Sequence, residues 1–132
     1  MSRIPRSQEH LKAAFTAEAA SAARFRAYAA RAERDEHPNL ARRWQALAAA
    51  KDALAVALLE AAGQVRGLGA DISDALSEER YENDILYPKM TRELDAGTAA
   101  ELRQLMTAQR EHLRQLEALR DELIAARGDV AA

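Results

Sequence analysis

The sequence predicts an all-α protein, built as an antiparallel four-helix bundle. Its 132 residues include only 5 Gly and 3 Pro, whereas Ala, the residue with the highest helix propensity, makes up about a quarter of the chain. In four segments of about 20–30 residues, apolar residues recur at the spacing of three and four that is typical of amphipathic helices. Short breaks separate these segments, and long helices joined by short connections favour an antiparallel bundle.

The breaks between the predicted helices contain residues that commonly interrupt helices. Pro38 disfavours helical geometry at His37 and has no backbone N–H, so the first helix should end close to it. We expect Thr98 to cap the fourth helix and Gly128 to end it. The predicted breaks cover 35–39, 67–71 and 95–98.

Pro88 lies inside the third predicted helix rather than in a break. A proline in a helix interior removes one hydrogen bond and bends the helix, at a cost of about 3 kcal/mol. Two interpretations stay open from the sequence. The helix either ends early and restarts, or continues through a kink that shapes a cavity.

Composition excludes several classes of protein. The chain has 0 Cys, which excludes a disulfide scaffold, a thiolate zinc site and a cysteine nucleophile. With 19 Lys and Arg against 21 Asp and Glu, the net charge is -2, which gives no reason to expect nucleic acid as a partner. No apolar run approaches the roughly 20 residues of a membrane span, and no secretion signal is evident. We therefore predict a cytoplasmic protein with one domain over 7–127 and flexible termini at 1–6 and 128–132.

Each predicted helix carries a polar residue on the apolar stripe that would face the bundle axis. The first stripe is Leu11, Phe15, Glu18, Ala22, Phe25, Ala29 and Ala32. The second is Trp44, Ala48, Asp52, Ala55, Leu59 and Ala62. The third is Ile72, Ala75, Glu79, Glu82, Leu86 and Met90. The fourth is Leu102, Leu105, Gln109, His112, Leu116, Leu119 and Leu123.

These polar residues lie well inside their helices, so in a bundle they could converge at one level. Carboxylates gathered in a low-dielectric core repel each other strongly without a cation. A divalent metal, held by carboxylate oxygens and one imidazole, would neutralise them. An ion-pair network is the alternative, with the positive charge supplied by Lys51, Arg24 or Arg80. The pattern alone leaves both open.

Two stretches of the sequence are similar to one known family. The first is Leu-Lys-Ala-Ala-Phe-Thr-Ala-Glu at 11–18, followed by Arg24 and Phe25. The second is Glu-Arg-Tyr-Glu at 79–82, followed by Leu-Tyr-Pro at 86–88. They resemble the first and third helices of the rubrerythrin branch of the ferritin-like superfamily, over about 7–126 of the chain. Without Cys, this would be a stand-alone relative that has no rubredoxin domain.

The resemblance implies a ferritin-like fold with a metal site in the bundle. Rubrerythrins are di-iron proteins that reduce peroxide, so the implied cofactor is iron, with manganese as the alternative, as one or two ions. A redox-active protein of this kind would need a separate electron donor. The metal ligands that the resemblance implies are Glu18, Asp52, Glu79, Glu82 and His112.

Two departures from the family pattern weaken the implied site. The second-helix Glu-x-x-His of the family is Asp52-x-x-Ala55 here, and the fourth-helix Glu-x-x-His is Gln109-x-x-His112. An amide offers a metal one neutral oxygen instead of an anionic bridge. We therefore expect fewer than two metals per chain.

Two functions are compatible with these residues. The first is a rubrerythrin-like non-haem oxidoreductase that acts on peroxide, oxygen or a small molecule at a degenerate di-metal site, with no catalytic residue assigned. The second is a metal-free ferritin-like binding or structural module with a polar core pocket. In either case we predict a homodimer, because apolar residues lie beside the axial stripes at Leu54, Leu58, Val65 and Leu113.

Overall fold

The computed structural model describes residues 5–132, and every regular element in this range is a helix. The all-α prediction is therefore confirmed for these residues. The chain divides into two compact units, Met1–Val65 and Arg66–Ala132. Residues 1–4, most of the N-terminal segment predicted to be flexible, lie outside the described residues. None of the helices described here is both long and apolar enough to cross a membrane.

The first unit is a hairpin of two long helices, α1 over Pro5–Arg34 and α2 over Pro38–Ala61. The turn between them is closed by the His37 amide, which donates to a carbonyl in the last turn of α1 at 2.8 Å. Glu36 adopts a left-handed backbone conformation in this turn, with a φ of 62°. Because α2 starts at Pro38, the first predicted break is confirmed.

Alanines form the seam between α1 and α2. The buried residues of α2 are all alanines and recur every seven residues: Ala41, Ala48 and Ala55. Ala62, just after the helix, continues this spacing and is also buried. The buried residues of α1 are also alanines: Ala22, Ala29 and Ala32. Because only a methyl group projects from each position, the two backbones can approach closely. The predicted α1 stripe is confirmed, since none of its residues is exposed.

Side-chain contacts at both ends pair the start of each helix with the end of the other. At the turn, the ring centroids of Phe25 and Trp44 are 5.1 Å apart, and Tyr28 packs edge-on against Trp44 at 5.1 Å. At the open end, Gln8 Nε2 donates to the Ala62 carbonyl at 3.2 Å. The direction of α2 against α1 is therefore specified by side chains as well as by the short turn.

Gly63 ends the second helix. Its φ of 72° is left-handed, and the Gln64 amide donates to the Leu59 carbonyl at 3.2 Å, which is the hydrogen bond of a Schellman motif. The second break was predicted at 67–71. It begins earlier, because the left-handed Gly63 already ends α2 after Ala61.

The second unit contains four α-helices: α3 over Leu68–Tyr81, α4 over Tyr87–Glu93, α5 over Ala96–Leu105 and α6 over Gln109–Ala125. Two short turns link them in pairs, a π-helical turn over Glu82–Leu86 and a 3-10 turn over Met106–Ala108. α3 packs against α6, and α4 packs against α5. The third and fourth predicted helical segments correspond to these two linked pairs.

Pro88 produces the π-helical turn rather than the end of a helix. A proline here has no N–H to donate, and in a regular α-helix its ring would clash with the carbonyl four residues earlier. The Tyr87 amide donates instead to the Glu82 carbonyl, five residues back, which is the π-helical pattern. The Asn83 side chain donates to the Glu79 carbonyl at 2.7 Å. Of the two interpretations of Pro88, the continuous helix is correct.

The cap of α5 is Asp95, three residues before the predicted cap. Asp95 Oδ1 accepts the Thr98 amide at 2.9 Å, and its Oδ2 accepts the Thr98 hydroxyl at 2.8 Å. These hydrogen bonds lower the pKa of Asp95. Thr98 therefore lies within the first turn as the partner of the cap, and the prediction that it caps the helix is wrong.

The inward stripe of the fourth segment differs from the prediction at every second position. His112 is exposed, Leu105 is 67% exposed and Leu119 is 38% exposed. The partly buried residues include Leu102, Met106, Gln109, Leu113, Leu116, Arg120 and Leu123. Both stripes follow three-four spacing and share four members, and apolar residues lie on either side of the shared line. Periodicity alone therefore does not choose between them.

The alanine seam predicts a strong asymmetry between two adjacent substitutions. Ala48→Leu inserts a large side chain where the native residue is 3% exposed, and should lower the free energy of unfolding by about 1–3 kcal/mol. Ala49→Leu, on the exposed face next to it, should change it by no more than about 0.5 kcal/mol. Urea denaturation followed by circular dichroism measures both, and equal effects would contradict the close packing of α1 on α2.

Candidate functional site

Glu18 of α1 and Lys51 of α2 form an ion pair inside the hairpin. Lys51 Nζ lies 2.7 Å from Glu18 Oε2, and the two side chains are 35% and 22% exposed. Glu18 Oε2 is buried and makes no hydrogen bond of good geometry with the residues that the structure describes, so the ammonium group compensates its charge by proximity. Lys51, one of the three basic residues considered as an alternative to a metal, therefore supplies the positive charge beside Glu18.

The register of α2 brings Lys51 to this position. The inward face of α2 follows a heptad pattern that alternates steps of three and four: Ala41, Trp44, Ala48, Lys51, Ala55, Leu58 and Ala62. Asp52, predicted on this face, lies one residue farther on and is exposed. Placing Asp52 on the inward face required two consecutive steps of four, from Trp44 to Ala48 and from Ala48 to Asp52. The seven-residue spacing of the buried alanines places Lys51 on this face instead.

Asp52 and Ala55, the family departure on the second helix, lie in two different environments. Asp52 Oδ2 pairs with Arg26 Nη1 at 2.6 Å, with both side chains more than half exposed. Ala55 is 4% exposed within the seam. A histidine at Ala55 would therefore overpack the contact between α1 and α2 instead of supplying an imidazole beside Asp52.

In the second unit, hydrogen bonds join Glu82, Gln109 and His112. Gln109 Nε2 donates to Glu82 Oε2 at 3.3 Å, and Gln109 Oε1 lies 3.1 Å from His112 Nδ1. Because the amide oxygen can only accept, the imidazole donates from Nδ1. The Gln109 amide thus links a carboxylate on the π-helical turn to an imidazole on α6. The family resemblance implies a bridging carboxylate at this position.

Glu79 lies three residues before Glu82 and has no compensating contact among the described residues. Its Oε2 is buried and has no hydrogen-bond partner among the described residues. Burial raises the pKa of Tyr87, and the negative charges of Glu82 and Glu79 raise it further. A buried oxygen without a donor is destabilising, which makes Glu79 the predicted ligand with the strongest need for a cation or a donor.

A groove of about 460 Å³ opens beside the π-helical turn, within the second unit. Tyr87, Pro88 and Thr91 of α4 line one side. The other side comes from α5, the 3-10 turn and α6, through Leu102, Arg103, Met106, Thr107 and Arg110. A groove therefore lies beside the Pro88 kink, as in the second of the two interpretations left open by the sequence, although none of the predicted metal ligands lines it.

The predicted iron or manganese ligands do not come together as one set of donors in the described part of the chain. Within residues 5–132, no group of three or more His, Cys, Asp or Glu side chains is arranged to hold a metal ion. The ammonium of Lys51 lies beside Glu18, and a guanidinium lies beside Asp52. The Nδ1 of His112 points to an amide oxygen instead of a carboxylate cluster. These contacts are those of a network of ion pairs and hydrogen bonds.

Comparison of the sequence with protein-family models gives no match, and comparison with curated proteins gives no significant match either. The relation to rubrerythrins therefore depends on the residues at 11–18 and 79–88 and stays a prediction.

The Lys51–Glu18 pair should couple the two helices measurably. We expect an interaction free energy of about 1–2 kcal/mol from a double-mutant cycle of Lys51→Met and Glu18→Gln, between values typical of exposed and buried pairs. Arg26 and Asp52 serve as the matched control, since this pair joins the same helices in solvent and should couple by no more than about 0.5 kcal/mol. Urea denaturation of all variants checks both values. Equal coupling energies would contradict a special role for Lys51.

Proposed function

We propose that the protein is a ferritin-like antiparallel four-helix bundle of the rubrerythrin type that works as a binding module without a resident metal. The family residues at 11–18 and 79–88 support the fold. The function is supported by the way charges are neutralised, since basic and amide side chains contact the carboxylates that would otherwise hold a cation.

The single observation that carries this proposal is the Lys51–Glu18 contact of 2.7 Å. A metal ion bound by Glu18 would lie close to an ammonium group, and the two positive charges would repel each other in a partly buried environment. Removal of the lysine charge would in turn leave a buried carboxylate oxygen uncompensated. The lysine thus takes the electrostatic role of a bound cation and excludes one.

A metal-dependent oxidoreductase is the second candidate, and Glu79 is the observation that favours it. Its buried Oε2, which has no hydrogen-bond partner within residues 5–132, lies in the second unit near Glu82, where a single divalent cation would supply the missing charge. Iron or manganese held there would act on peroxide, oxygen or a small molecule. Electrons would come from a separate donor, because the chain has 0 Cys.

Metal content separates the two candidates. We expect protein purified without chelators to contain well below one iron or manganese per chain by mass spectrometry, because two of the implied ligands, Glu18 and Asp52, already have basic counter-charges. Two variants provide the controls. If Glu79→Gln abolishes a stoichiometry near one, and Lys51→Met leaves it unchanged, the second candidate is supported and the metal-free proposal is wrong.

The homodimer is proposed from a stripe of exposed leucines on α2. They recur every seven residues and are 48%, 51% and 47% exposed: Leu40, Leu47 and Leu54. Exposed leucines repeated along one face of a helix are typical of an interaction surface. Sedimentation velocity at micromolar concentration should show a dimer, and Leu47→Glu should shift it to a monomer, with Gln45→Glu as the charge-matched control. A monomeric wild type would contradict the dimer and leave the fold unaffected.

A further inference from the structure

The groove beside the π-helical turn has the size and lining of a small-molecule site. Its volume of about 460 Å³ falls in the range of ligand pockets, about 300–1,000 Å³. Its walls include the apolar side chains of Pro88, Leu102 and Met106, all only partly exposed. π-helical turns are rare and are frequently found at functional sites. The widened turn at Pro88 therefore costs stability at a place where it shapes a groove.

Two arginines supply the charge of this groove. Arg103 and Arg110 both line it and are exposed. Neither forms an ion pair within the described part of the chain, whereas the neighbouring Arg114 pairs with Glu111. The groove thus combines an apolar surface with two guanidinium groups that form no ion pair with a carboxylate of residues 5–132.

Three other polar side chains of the groove donate hydrogen bonds to backbone carbonyls. The Thr91 hydroxyl donates to the Pro88 carbonyl at 2.9 Å, and the Thr107 hydroxyl donates to the Gln104 carbonyl at 2.8 Å. The Asn83 amide donates to the Glu79 carbonyl at 2.7 Å. The guanidinium groups are therefore the charged donors of the groove, beside the hydroxyl of Tyr87, and their planar geometry suits a carboxylate.

We propose that this groove binds a small organic anion, with an apolar body against Pro88, Leu102 and Met106 and a carboxylate held by Arg103 or Arg110. The inference gives a ligand class to the binding module proposed above and rests on that function. An inorganic anion would leave the apolar walls in water, and an uncharged apolar molecule would leave both guanidinium groups without a partner. The two features together favour an amphipathic monoanion.

Three probes of matched chemistry test the proposal by isothermal titration calorimetry. Octanoate has both features, 1-octanol only the apolar body, and inorganic phosphate only the negative charge. We expect octanoate to bind at least about tenfold more tightly than either of the others, which corresponds to the loss of one strong interaction. A negative heat-capacity change for octanoate would show that apolar surface is buried. Equal affinity of octanoate and phosphate would overturn the proposal.

Variants assign the binding to the groove. Arg103→Gln with Arg110→Gln should weaken octanoate binding by about tenfold or more and leave the weak binding of 1-octanol unchanged. Arg92→Gln with Arg114→Gln removes the same charge from exposed positions outside the lining and should have little effect. Circular dichroism verifies the fold of each variant.

The negative outcomes are separable from those of the proposed function. Octanoate binding that is equally weakened by both double variants would show a non-specific charge effect and overturn the assignment to the groove. No octanoate binding at millimolar concentration by the folded wild type would overturn the ligand class. Metal content decides the metal-free proposal independently, because none of the groove variants changes Glu18, Lys51 or Glu79.

Discussion

The close contact of α1 with α2 through alanine side chains is the constraint on which the first unit depends. A seam of methyl groups leaves little room for adjustment, so the heptad that places Ala41, Ala48 and Ala55 inward also determines which of their neighbours face α1. Lys51 lies on that face and Asp52 does not. The small alanine side chains of the seam thus determine that Lys51, rather than Asp52, lies beside Glu18.

Most of the carboxylates predicted as metal ligands contact a basic or amide side chain. Ferritin-like metal proteins gather carboxylates from several helices around cations. Here an ammonium contacts Glu18, a guanidinium contacts Asp52, and an amide contacts Glu82. Each contact removes part of the electrostatic reason for a metal to bind. Glu79 is the exception, with a buried oxygen that has no such contact among the described residues. The second unit is therefore where a cation would be most strongly favoured.

Pro88 connects backbone chemistry to the surface of the second unit. The proline cannot take part in α-helical hydrogen bonding, and the chain responds with a π-helical turn instead of an end of the helix. Tyr87, beside it, lines the groove, and its pKa is raised by burial and then by the negative charges of Glu82 and Glu79. Tyr87 thus connects the groove with the carboxylates, although the groove carries two arginines and neither Glu79 nor Glu82 lines it.

The sequence by itself determined the all-α class, the four helical segments and the inward stripe of α1, because helix propensity and three-four periodicity are local properties. It also identified Pro88 as a departure from regular helix. Tertiary structure alone decided whether Lys51 or Asp52 faces Glu18, and that His112 faces solvent while linked to Gln109. Neighbouring stripes on one helix are equally periodic, and only the surface against which a helix packs selects between them.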